Sequence, residues 1–232
     1  MTKNDFLRIS LTPKEKVWGW RYLLFQIVFL PTLLSTVNWF LPTPMDPALL
    51  NFFFFCLNFC AAILIFHRYL QQFLDLNWHH LLRIGIVGIL FFVLYWLSGI
   101  LLGMLFAEIS PSFSNQNDQN IADMAQEHYW LVAVGTIILV PVTEEAFHRG
   151  LIFRGLYDWS APAAYLISAA IFSAVHLTGY VHTMEPYLLF LSFLQYLPAG
   201  FLLAAAYRLS GSLLCPILIH AAVNAAGILA LR

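Results

Sequence analysis

Between residues 141 and 150 the chain reads PVTEEAFHRG, which sets Glu144, Glu145, His148 and Arg149 directly after the apolar run WLVAVGTIILV. Further on, IFSAVH brings in His176, and HAAVN brings in His220 with Asn224 four residues later. Carboxylates and imidazoles are the usual groups of general acid–base catalysis. One Glu with two His is also the donor set of a catalytic zinc, and buried Glu and His form proton relays in transporters. The setting makes these residues conspicuous, because an ionisable group inside a bilayer is costly and is retained for function.

Helical geometry sorts them. Residues four apart share a face, so Glu145 and Arg149 form an ion pair, with the acid on the favourable N-terminal side. Glu144 points elsewhere, with His148 one turn below it, and is left as the free acid or base. Pro141 lacks an N–H and frees a carbonyl near the site. His220 and Asn224 lie on one face, among small residues that let another helix approach. Bland readings compete with each of these. Glu145–Arg149 reads as helix packing, His220–Asn224 as interhelical hydrogen bonding, His176 as an interfacial residue and Phe172 as a core aromatic.

The elements that must position them are transmembrane helices. The chain has 232 residues, 61% hydrophobic and 10% charged, with a mean hydropathy of +0.77, where an ordinary soluble domain has roughly 25% charged residues. Apolar runs at 22–41, 49–66, 82–106, 129–157, 162–177, 187–207 and 212–231 predict an all-α polytopic bundle of about seven spans, with six or eight as alternatives, each span needing ~20 residues. At ~1.5 Å per residue, Glu144, His176 and His220 lie ~20, ~21 and ~14 Å in from the basic ends of their spans. All three then share the middle layer of a hydrocarbon core ~30 Å thick.

Lys3, Arg8, Lys14, Lys16 and Arg21 precede the first span, and Arg68, Arg83, Arg149, Arg154 and Arg208 fall in alternate connections, while the other loops hold no Lys or Arg. This alternation predicts a cytoplasmic N-terminus. The first span, with no small-residue cleavage site behind it, is expected to remain as an anchor. Trp18 and Trp20 read as interface anchors, Cys56, Cys60 and Cys215 as small core residues, and His67, His79, His80, His128 and His182 as solvated. The expected organisation is one membrane domain over 1–232. It comprises three N-terminal spans within 1–106, a polar extracytoplasmic loop at 107–128 whose end could continue helically into the next span, and a core at 129–231. No nucleic-acid motif, phosphate-binding loop or internal repeat is present.

EEAFHR fits an EExxxR signature, FSAVH fits FxxxH and HAAVN fits HxxxN, in that order. With these motifs the chain resembles the CAAX protease and bacteriocin-processing (CPBP, or Abi) family of intramembrane proteases. The resemblance covers roughly residues 129–231, since the first three spans agree only in being hydrophobic. It implies hydrolysis of a peptide bond in a membrane-associated or lipidated protein or peptide. Glu144 would activate the water, His176 would position it, His220 and Asn224 would stabilise the oxyanion, and Glu145 and Arg149 would support them. His148 departs from the large aromatic usual before the arginine, either tuning Glu144 or replacing that aromatic in packing. The family is often labelled as metalloprotease, yet its best-understood members look like metal-independent glutamate proteases. The expected cofactor is therefore none, with zinc on Glu144, His176 and His220 as the alternative. The ending GSLLCPILIHAAVNAAGI looks like the bacterial branch, implying a bacterial plasma membrane and roles in peptide maturation or bacteriocin self-immunity. Two rivals stand beside this reading: a non-catalytic binding or immunity scaffold, and a proton-coupled transporter. The second lacks any matching motif before residue 107.

Overall fold

A computed structural model of the protein describes residue 6, residues 9–73 and residues 78–232; Lys3 and Arg8 of the N-terminal basic cluster lie outside the described residues. These form eight helices, with no strand among them. They are α1 (Pro13–Val28), α2 (Leu30–Trp39), α3 (Pro47–Gln71), α4 (Trp78–Ile109), α5 (Gln116–Tyr157), α6 (Ala161–Val175), α7 (Pro186–Ser210) and α8 (Leu214–Leu229). The protein is an integral membrane protein built as an all-α bundle.

Four helices start where an N-cap side chain satisfies their first N–H groups. At α1 the Glu15 N–H donates to Thr12 Oγ1 while the Thr12 N–H donates to the Glu15 carboxylate at 2.7 Å, a reciprocal capping box. Asp46, Asn115 and Ser160 cap α3, α5 and α6 more simply, each side chain accepting from a backbone N–H of the first turn. Pro31 cannot donate to the preceding turn, and α1 and α2 meet there at a 47° bend. At the other end of α7, Gly211 adopts φ 72°, the left-handed conformation that lets its N–H close on Tyr207 O.

α3, α4, α5 and α7 are long and apolar enough to cross a membrane, and α1–α2 makes a fifth if the bent pair is one span. All seven predicted runs fall on helices, but α6 and α8 have only 15 and 16 residues. They rise ~22–24 Å, short of a hydrocarbon core ~30 Å thick. The polar connection at 107–128 is mostly helical: α4 runs to Ile109 and α5 begins at Gln116, interrupted by a non-helical His128. Its first turns are held by Asn115, whose side chain accepts from the Asn117 and Asp118 N–H groups.

α5 is the shaft of the bundle. Half of its most apolar stretch is buried, against 17% for α3 and 11% for α4, so the latter two present most of their surface outward. One core gathers Phe66, Tyr69, Phe147, Phe153 and Tyr207, and a second gathers Phe172, Leu203, Cys215 and Ile219. α6 and α7 approach closely because Gly200 has no side chain: a Cβ there would meet the Ala169 backbone at 2.7 Å. Of the cysteines, Cys215 is buried as expected, but Cys60 is exposed on the outer face of α3.

Candidate active site

Glu144 and Glu145 occupy the middle of α5 between two π-helical stretches, Gly135–Leu139 and Ala146–Phe153. Wide turns of this kind leave backbone groups in a shifted register and recur at functional sites. Here the first stretch has a consequence for Asn224. Val140 N–H donates to Gly135 O, five residues back. The next donor in that register would answer Thr136 O, but residue 141 is proline. Asn224 on α8 supplies the missing partner, its side-chain N–H reaching Thr136 O at 2.7 Å. The carbonyl that Pro141 was expected to free is thus the one that receives Asn224.

The two glutamates part company as their helical directions require. Glu145 is wholly buried, and Arg149 Nε, equally buried, lies 3.0 Å from its Oε2. From the other side His220 Nδ1 comes within 2.9 Å of Glu145 Oε1. Glu145 therefore joins α5 to α8 as well as neutralising Arg149, a link that spacing alone did not reveal. Arg149 also donates to Gly200 O at 3.3 Å, and its guanidinium lies 4.5 Å from the centre of the Phe172 ring.

Glu144 faces the other way, into a cavity of about 780 Å³ bounded by the α1–α2 bend, α3, the start of α5 and the end of α6. His176 lines the same cavity, with Nε2 3.7 Å from Glu144 Oε2. Its Nδ1 lies 2.8 Å from Phe172 O. A carbonyl only accepts, so Nδ1 carries the hydrogen, and in the neutral ring Nε2 is a bare acceptor. Two acceptors facing each other at this distance leave room for a shared hydrogen-bond donor. His220 and Asn224 do not line this cavity.

Phe172 sits at the hub, 1% exposed, its ring centre 4.6 Å from that of His176, 5.1 Å from His148 and 6.1 Å from His220. His148 behaves as an aromatic packer, edge-on to Phe172. Its Nδ1 is bound to the Glu144 backbone carbonyl at 2.9 Å rather than to the Glu144 carboxylate. Spacing also missed Tyr196 of α7, which stacks on His176 at 4.4 Å. The Tyr196 hydroxyl donates to Asn115 Oδ1 and accepts from Asn117 Nδ2, both at 3.2 Å. A tyrosine in an apolar run carries no such signal; only the fold sets it against the histidine. Thr136 was missed for the same reason, since its backbone oxygen is what matters.

Among the described residues no three His, Cys, Asp or Glu side chains converge to hold a metal ion, and His220 Nδ1 is engaged by Glu145.

Residues 126–226 match the family model described as type II CAAX prenyl endopeptidase, Rce1-like. The match takes in Glu144, Glu145, Arg149, His176, His220 and Asn224, and leaves residues 1–125 outside it. No curated protein and no solved structure matches the chain.

Proposed function

We propose that the protein is an intramembrane endopeptidase that hydrolyses a peptide bond of a membrane-associated protein or peptide with a water activated by Glu144. The observation that carries this reading is the Glu144–His176 pair: two acceptors 3.7 Å apart in the wall of a cavity roomy enough for a peptide segment. A water donating to both presents its lone pairs to a substrate carbonyl. As the oxygen attacks carbon, its proton passes to Glu144, and the carbonyl becomes an oxyanion. Glu144 then returns the proton to the amide nitrogen as the C–N bond breaks. The similarity of residues 126–226 to a prenyl endopeptidase family supports peptide-bond hydrolysis on a membrane-associated protein, and lipidated proteins are among the substrates this reading proposes.

Stabilisation of the oxyanion falls to α8. With hydrogens on both ring nitrogens, His220 keeps Nδ1–H on Glu145 and offers Nε2–H to the oxyanion. Asn224 keeps one amide N–H beyond the one given to Thr136. Substrate entry requires that the segment reach these groups past Phe172. Zinc has no place in this scheme: cleavage by purified protein should survive exhaustive chelation, and loss restored by added zinc would overturn the metal-free mechanism.

The decisive experiment compares the termini of membrane peptides in cells expressing wild type or Glu144→Gln at matched levels. Termini that require Glu144, reproduced with purified protein, support the protease and name its substrate. No such termini, with the wild type's cellular effect intact in the variant, would instead favour a binding scaffold.

A further inference from the structure

Three residues lining the cavity that holds Glu144 each carry a buried acceptor atom with no hydrogen-bond partner among the described residues. Asn58 on α3 is 4% exposed; its amide N–H donates to Phe54 O at 2.8 Å, which fixes the orientation of the group and leaves Oδ1 without a partner. His148 is 2% exposed; with Nδ1–H on Glu144 O, its Nε2 is an acceptor in the neutral ring and likewise has no partner. Glu144 Oε2 makes no hydrogen bond either. All three residues line the one cavity. Two exposed carboxylates, Asp123 and Glu127, stand one turn apart on α5 at its rim, and among the described residues no Lys or Arg lines it.

Buried acceptors left without donors are costly, and proteins rarely keep them unless something arrives to satisfy them. The arriving group must be rich in N–H and is helped by positive charge. A lysine ammonium has three donors and no acceptor, and an arginine guanidinium has five and none. We propose that the cavity selects peptide segments bearing a Lys or Arg side chain, drawn in past Asp123 and Glu127 and satisfied within by Asn58 Oδ1 and His148 Nε2. The identity of the occupant as a substrate rests on the protease reading above; the preference for a cation does not. Glu144 and His176 remain for the water. A segment bearing Asp, Glu or a free C-terminal carboxylate at the same place meets like charges at the rim and acceptors within, and is rejected.

The test uses the full chain in phosphatidylcholine nanodiscs, which contain no primary amine to compete. Single-span probe peptides carry one Lys, Gln or Glu scanned through an otherwise identical apolar segment, and their Kd values are compared. At one position or a few, the Lys peptide should bind about 10-fold more tightly than the Gln peptide, and the Glu peptide most weakly. Asp123→Asn combined with Glu127→Gln, at exposed positions that leave folding intact, should cut that preference to about 3-fold or less while sparing the Gln peptide. Asn58→Leu, checked for an unchanged unfolding temperature, should reduce it separately. Equal binding of Lys and Gln peptides throughout the scan would overturn the proposal, as would a preference for Glu. Cleavage is scored independently. A Lys preference without cleavage defeats the protease and keeps the selectivity, whereas cleavage without preference does the reverse.

Discussion

Adjacent glutamates meet opposite fates because neighbours on a helix point about 100° apart. Glu145 is enclosed with Arg149 and His220, so its charge is structural. Glu144 borders the cavity, so its charge is free to act. Substitution should separate the two roles. Glu144→Gln should leave the thermal unfolding temperature nearly unchanged while cleavage of the natural substrate falls by ~10²–10⁴-fold. Arg149→Ala strands a carboxylate in the core and should cost ~3–5 kcal/mol, read as a loss of folded yield and a lower unfolding temperature. Unchanged stability in the arginine variant would contradict a structural Glu145–Arg149 pair. This division was legible in the sequence, since i,i+4 spacing assigns Arg149 to Glu145 and leaves Glu144 alone. The third partner, His220, was not, because it lies 75 residues away and only the packing of α8 on α5 brings it in.

At the scale of elements, α8 binds a carbonyl that a missing N–H leaves open in α5. Pro141 leaves Thr136 O open, and Asn224 fills it. A double-mutant cycle tests this coupling. Asn224→Leu should destabilise the wild type by ~1–3 kcal/mol, the cost of an unsatisfied buried carbonyl. In a Pro141→Ala background the restored N–H answers Thr136 O, and the same substitution should cost clearly less. Equal costs in both backgrounds would show that the two are independent. α7 acts on the site through Tyr196, a positioning residue held by Asn115 and Asn117 and stacked on His176. Tyr196→Leu should lower kcat by about 10-fold with little change in KM, whereas Tyr196→Phe, which keeps the stack, should retain most of kcat. An equal loss in both would assign the effect to the hydroxyl instead. Apolar runs located the helices well, but not their ends. The polar stretch that opens α5 lacks an apolar stripe, so only its end was expected to be helical, and its start is fixed by the Asn115 cap and contacts to Tyr180 and Tyr196.

Across the whole molecule the two ends of the bundle differ in kind. At one end Arg154 and Arg208 lie over the buried Phe6, and Arg154 Nε donates to Ile9 O, so basic residues and the N-terminal segment share that face. At the other, Asn115, Asn117, Asn120, Tyr180 and Tyr196 form a hydrogen-bonded belt beside the mouth of the cavity, with the Asp118 carboxylate 3.4 Å from the Tyr196 hydroxyl, and Arg232 lies over Tyr129. Lys and Arg are in excess on the cytoplasmic side of a membrane, so this polarity predicts that the cavity opens to the opposite side. The short α6 ties the two ends together. Trp159, just before it, is exposed at the basic end, and Gly179, just after it, is exposed at the cavity mouth with open space around its Cα. In a background with Cys56, Cys60 and Cys215 replaced, a membrane-impermeant maleimide should label Gly179→Cys in intact cells. It should label Trp159→Cys only after permeabilisation. The reverse pattern would turn the protein over and open its cavity to the cytoplasm. Labelling of both sites from one side would mean that α6, at ~22 Å, enters the membrane without crossing it.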